Sequence, residues 1–122
     1  MKKTILCHFY NEEYLLPWWL KHHRQFFDHG IMINWASTDN SVNIIKELCP
    51  TWDIIDSKNK TFGMGAEEPE VAEIEKKFVE GWRICLNVTE FLLGNFSSLT
   101  EESNKKSIFI PIYAIVDEKE HR

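Results

Sequence analysis

The sequence predicts an α/β domain with a mostly parallel sheet flanked by helices, on three observations. Short apolar runs of strand length alternate with stretches whose apolar residues recur at helical spacing. The order is strand, helix, strand, helix, strand, which implies parallel strands joined by right-handed crossovers. The runs stop abruptly in polar clusters, as a buried strand does where it delivers functional side chains at its exit. Residues 82–94 show this best: an apolar run, the polar residues Asn87, Thr89 and Glu90, then apolar residues again.

Residues 4–10 form the first apolar run, which ends at Asn11, Glu12 and Glu13. They read as a buried strand followed by a helix whose acidic first turn suits the helix dipole. Over residues 12–27, Leu15, Leu16, Trp19, Leu20, His23, Phe26 and Phe27 make the stripe of a helix packed on a sheet. Pro17 marks either a late start of that helix or a kink. Asp28, His29 and Gly30 read as its stop, and residues 31–35 as a second buried strand. The polar loop 36–41 turns the chain and caps a helix over 42–48. Pro50 closes that helix, and residues 51–56 give a third strand.

Residues 57–68 read as a loop. Its Gly63, Met64 and Gly65 lack the strand-to-helix glycine pattern of a phosphate loop. A helix follows over 70–81, with Val71, Ile74 and Phe78 on one face and Glu73, Lys76, Lys77 and Glu80 on the other. Residues 82–86 are the central strand, 95–106 a polar loop, and 108–116 a last strand whose Pro111 suits an edge or bend. Only six residues follow it, so the expectation is one domain over 1–122, incomplete at its carboxyl end.

At 122 residues, 43% hydrophobic and 27% charged, the chain has enough apolar mass for a core and is no disordered tail. A net charge of -5, with no large Lys/Arg cluster, argues against nucleic acid as a partner. Cys7, Cys49 and Cys85 are far apart and odd in number, which argues against a disulfide framework or a paired-cysteine metal site. Each sits among apolar residues and reads as a buried reduced thiol. No apolar stretch has the length of a signal peptide or a transmembrane segment. The expectation is a cytoplasmic chain whose sequons at Asn59, Asn87 and Asn95 stay unmodified.

His8, at a strand end, reads as a satisfied core or rim histidine. His22 and His23 read as a solvent-facing pair, because neither has a histidine one helical turn on. The five tryptophans read mostly as core, with Trp35 the best placed to stack on a base or sugar. Taken alone, Asn11, Glu12 and Glu13 could be only a helix start, and Asp39 only a turn residue.

Three segments together, the turn at His8, Phe9, Tyr10, Asn11, Glu12 and Glu13, the loop at Ala36, Ser37, Thr38, Asp39, Asn40 and Ser41, and the stretch from Trp82 through Phe91, resemble in order and spacing the first half of a family 2-like glycosyltransferase. They look like that family's "NEE" turn, its "GSTDxS" loop and its "W…DxDEF" strand end, across roughly residues 4–94. The aromatic Pro17, Trp18 and Trp19 are similar to the subgroup whose motif ends in Glu-Phe. The resemblance implies a GT-A (Rossmann-like) fold that transfers a sugar from a nucleotide-sugar donor to an unknown acceptor. It implies that Tyr10, Asn11 and Glu12 border the nucleotide and that Asn34 and Asp39 approach its base and ribose. Asn87, Thr89 and Glu90 would occupy the motif that holds a divalent cation, Mn²⁺ or Mg²⁺, whose charge offsets that of the leaving diphosphate.

The sequence departs from that pattern at two places. Asn87 and Thr89 stand where the family carries aspartates, and neutral oxygens are weaker ligands for these cations. Asn34 and Trp35 replace an acidic pair, although asparagine still hydrogen-bonds a base edge. A second reading is therefore a catalytically inactive fragment or binding module that keeps the nucleotide half of the fold and self-associates through an exposed sheet edge.

Overall fold

The computed structural model describes residues 2–58, 70, 73, 74, 76, 81–93 and 112–114. Within them β1 (Lys3–Phe9), α1 (Leu16–His23), β2 (His29–Asn34), α2 (Ser41–Leu48), β3 (Asp53–Asp56), β4 (Trp82–Cys85), β5 (Glu90–Leu92) and β6 (Ile112–Ala114) follow in order. The first four strands form one parallel sheet in the order β3-β2-β1-β4. This is the predicted α/β arrangement, except that β4, expected as the central strand, lies at the end of the described sheet and β1 and β2 are interior. The phosphate-loop question at 63–65, the loop 95–106 and the sequons at Asn59 and Asn95 lie outside the described residues.

Strand alternation divides the core into two layers. Ile5, Cys7, Phe9 and Met32 pack with Leu16, Trp19 and Leu20 of α1 and Ile45 of α2. On the opposite face Leu6, Ile31 and Ile33 meet Ile74. Ile74 is helical together with Glu70, Glu73 and Lys76, as predicted for that segment; Val71 and Phe78 lie outside the described residues. Gly81, at φ 84°, turns the chain into β4.

Several expectations need correction. The helix predicted over 12–27 is shorter, because residues 12–15 form a turn in which the Leu15 and Leu16 N–H groups both donate to the Glu12 carbonyl. Pro17 lies in the first turn, where a missing N–H costs nothing, so it marks a late start rather than a kink. Gly30 does not stop a helix but sits inside β2. The last strand, seen at Ile112–Ala114, does not extend the parallel sheet; it pairs antiparallel with β5 in a separate two-stranded sheet.

Burial brings further corrections. Cys7 and Cys49 are buried, but Cys85 is exposed. Trp18 is 67% exposed rather than core. His23, expected at the surface, is completely buried, and His22 is half-buried. Among the described residues no helix is long and apolar enough to cross a membrane.

Candidate functional site

β1 and β2 run side by side and end together, with Phe9 opposite Asn34. The loops that follow therefore leave the same sheet edge as neighbours, and the Trp35 N–H donates to the Phe9 carbonyl across them. Asn11 joins the two. Its backbone N–H donates to Ser37 Oγ at 3.0 Å and its Nδ2 to Thr38 Oγ1 at 3.3 Å. Its Oδ1 accepts from the N–H groups of Thr38 at 2.7 Å and Asp39 at 3.2 Å. Asn11 does this at φ 47°, a left-handed conformation that asparagine tolerates better than most residues. Ala36 also has positive φ, 54°, in the turn closed by the Ser37 N–H on Asn34 Oδ1 at 2.9 Å.

The same zipper continues toward the helices. The Glu12 N–H donates to Ser41 Oγ at 2.9 Å and the Glu13 N–H to Asp39 Oδ2 at 3.2 Å. Asp39 Oδ1 accepts the Ser41 N–H at 2.9 Å, so Asp39 serves the start of α2 in place of Asn40, whose side chain makes no capping bond. Burial acts to raise the Asp39 carboxyl, but the hydrogen bonds from Ser41 and from the Glu13 N–H outweigh it and hold the group below its ordinary value. Of the five predicted nucleotide residues, Asn11, Glu12, Asn34 and Asp39 are thus joined in one network. Tyr10 stands beside them, 44% exposed.

This network makes a prediction about Asn11. Asn11→Ala should lose about 2 kcal/mol of stability and Asn11→Gly about half of that, because glycine gives up the side-chain bonds but not the backbone conformation. Equal losses in denaturant titrations would show that the positive φ contributes nothing.

The second group of candidates follows β4. The Asn87 N–H donates to Glu90 Oε1 at 2.8 Å, and the Glu90 N–H donates back to the Asn87 carbonyl at 2.9 Å, so the 87–90 segment closes on itself. Three side chains of α1 hold it from below. Trp19 Nε1 is shared between the Asn87 and Glu90 carbonyls at 3.0 and 2.9 Å. His22 Nε2 donates to the Leu92 carbonyl at 2.7 Å, and the Leu92 N–H donates to His23 Nε2 at 3.1 Å. Since Nε2 of His23 accepts, its proton is on Nδ1, which donates to the Trp19 carbonyl at 2.9 Å. Burial, with His22 beside it, lowers the His23 pKa to about 4.

These residues do not make a cation site on their own. Glu90 is the one carboxylate of the predicted trio, and it is turned back onto its own segment. Among the described residues no group of three or more His, Cys, Asp or Glu is placed to hold a metal ion. The donor set does not fit a divalent cation held by these residues alone. The two candidate groups do share one edge, because β4 runs parallel beside β1 and the Leu86 N–H, where β4 ends, donates to the Leu6 carbonyl.

A third cluster escaped the sequence analysis. Glu70, 8% exposed, meets His8 Nε2 at 2.9 Å, the Ser57 hydroxyl at 2.8 Å and the Lys58 N–H at 2.8 Å. Burial opposes its charge, but the bonds from Lys58, His8 and Ser57 prevail and keep its carboxyl below the usual value. His8 is the satisfied histidine expected at the end of β1. Trp35 is only 5% exposed, with its ring 5.8 Å from that of His8, so it packs inside rather than presenting a stacking face. A cavity of about 430 Å³ beside β3, lined by Ile31, Ile55, Ile74, Asp53, Asp56 and Glu73 among others, includes none of the predicted site residues.

No family model matches the chain, and no curated protein matches it in sequence. Solved structures do match in fold. The crystal structure of S. aureus TarS superposes with a TM-score of 0.62 at 15% identity over 83% of this chain. The crystal structure of S. aureus TarS 1-349 gives 0.59 at 17% identity, again over 83%. The chain spans 19% and 31% of those two structures. At such identity the likeness shows the fold alone: an α/β domain with a mostly parallel sheet flanked by helices.

Proposed function

We propose that the chain is a glycosyltransferase-like domain that binds a nucleotide-sugar donor at the carboxyl edge of β1 and β2. The observation that carries this reading is the zipper of Asn11 with Ser37, Thr38 and Asp39, which presets two loops at the strand ends where ligands of open α/β sheets bind. Preset loops lose little freedom on binding, so more of the contact energy appears as affinity. Tyr10 offers an exposed ring for the base. Asn34 keeps its Nδ2 to donate to a base carbonyl while Oδ1 is held by Ser37. Asp39, kept ionised by its donors, has lone pairs left for ribose hydroxyls.

The edge that would receive the diphosphate carries the carboxylate residues Glu12 and Asp39, joined through Ser41, and Glu90 in the segment after β4. A diphosphate there needs cationic compensation, and the 87–90 segment supplies one charge among three candidate oxygen-bearing side chains. Mn²⁺ or Mg²⁺ would therefore bind together with the diphosphate rather than before it. The acceptor stays unspecified in this reading.

Calorimetric titration with UDP and with GDP, with and without Mn²⁺, tests the reading. Saturable binding of one nucleotide in the presence of Mn²⁺ is expected, weakened about tenfold, or ~1.4 kcal/mol, by Asp39→Ala. Asp39→Asn, which keeps one acceptor oxygen, should fall between. Absence of binding by both nucleotides with Mn²⁺ present, or binding that Asp39→Ala leaves unchanged, would overturn it.

A further inference from the structure

We infer that Trp19, His22 and His23 are positioning residues for the 87–92 segment, and that the arrangement holds only while His23 is uncharged. Its consequence for ligand binding rests on the donor-site reading above; the positioning itself is read without a ligand. The three side chains stand at i, i+3 and i+4 on α1 and so share one helix face. Together they supply four hydrogen bonds, all to backbone groups between Asn87 and Leu92. α1 also follows directly on the Asn11 loop, so one short helix sets both groups of candidate residues relative to each other.

The chemistry of His23 makes this hold conditional. A backbone N–H can only donate, so the Leu92 N–H requires a lone pair on Nε2. Protonating Nε2 would set two donors against each other in a site from which water is excluded. Among the described residues, His22 is the titratable group that faces His23, with ring centroids 4.8 Å apart. The rings of Trp19 at 4.4 Å, Phe91 at 5.6 Å and Phe27 at 6.3 Å also face it, and none of them carries a charge to compensate a proton. Acid should therefore loosen β5 from α1 at Leu92 before it unfolds the parallel sheet, whose strands are held by their own ladder.

Amide exchange followed by NMR at pH 7.5 and pH 5, corrected for the intrinsic pH dependence of exchange, decides the matter. A group at about 4 when closed and ~6.5 when open makes opening roughly thirtyfold more favourable at pH 5 than at pH 7.5. The Leu92 and Glu90 amides should lose protection by about that factor, while amides of β1 and β2 keep theirs. In His23→Gln, whose side-chain oxygen accepts at any pH, the difference should vanish. Loss of protection in all strands together would show a merely structural role and overturn the inference. So would a Leu92 amide insensitive to pH, or the same pH response in His23→Gln. If His23→Gln does not fold, the contrast between β5 and β1 amides in the unmodified chain decides alone.

UDP titration with Mn²⁺ at both pH values separates the two readings. Weaker binding at pH 5, restored in His23→Gln, supports the link to the ligand. Equal binding while Leu92 opens overturns that link, and no binding at either pH overturns the donor-site reading and not the positioning.

Discussion

Gly30→Ala is expected to cost about 3 kcal/mol, and Gly30→Val enough to leave the chain largely unfolded at room temperature. A β-carbon built on Gly30 would lie 2.2, 2.3 and 2.6 Å from Cε3, Cδ2 and Cζ3 of Trp52, far inside contact distance. Gly30 pairs with Ile5 of β1 and directly precedes Ile31, where β2 begins to pair with β3, so its backbone cannot retreat without disturbing the sheet. Trp52 is only 9% exposed and packs in the layer that contains Ile5, Trp19 and Ile45, so its ring has nowhere to move. The cause can be checked in a double-mutant cycle. In a Trp52→Leu background Gly30→Ala should cost less than half as much, because the obstructing ring is gone. A midpoint shift in urea worth under 1 kcal/mol for Gly30→Ala, or no coupling to Trp52, would refute the steric account.

Glu70→Ala is expected to cost about 3–5 kcal/mol, the range for breaking a buried charged network by removing one partner. Three donors converge on this carboxylate: the His8 ring, the Ser57 hydroxyl and the Lys58 N–H. Alanine leaves all three facing a space that lacks an acceptor. Glu70→Gln should be milder, since one oxygen still accepts, although its amide nitrogen would confront a donor. The pH dependence has a definite sign. The folded carboxyl lies below its ordinary value, so the network's contribution is complete above ~4.3 and is lost as pH falls through the lower folded value. Acid unfolding curves should therefore be flatter for Glu70→Ala than for the unmodified chain in that range. Parallel curves would mean that the carboxylate gains nothing from its donors.

The strands were legible because they are short and apolar. Residues 4–10, 31–35 and 82–86 were each placed within two residues of β1, β2 and β4, and the alternation of Ile5, Leu6 and Cys7 between two core layers follows from the same pattern. What the sequence hid were relations between distant residues. His22 and His23 read as a surface pair because histidines are usually polar surface residues, and nothing local announces that Leu92 will bring both a donor and an acceptor to meet them. The helical spacing of Trp19, His22 and His23 on an otherwise apolar face was the available signal. Glu70 entered only as the first residue of a helix over 70–81, because its partners, His8 in β1 and Ser57 just after β3, are distant in sequence. Gly30 was read by local rules as a helix stop, and its actual reason for being glycine, the ring of Trp52, lies across the core. At the candidate site the loop residues Asn11 and Asp39 were found by motif, but their bonds to each other were not, because a motif names residue types and not partners.

The position of β1 in the sheet also governs how the chain can assemble. It precedes the other described strands in the sequence and is an interior strand once folded, with Ile5 between Gly30 on one side and Ile84 on the other. During synthesis β1 can acquire β2 early, but its other edge waits until β4 has emerged, near the end of the described core. Closing that last gap means gathering a long intervening stretch of chain, an entropic toll that rises only slowly with loop length yet comes before any reward. In the interval the nascent chain displays an apolar strand with one side of its backbone open, the geometry to which another unfinished copy can attach. Association between unfinished copies should therefore be greatest before β4 has emerged.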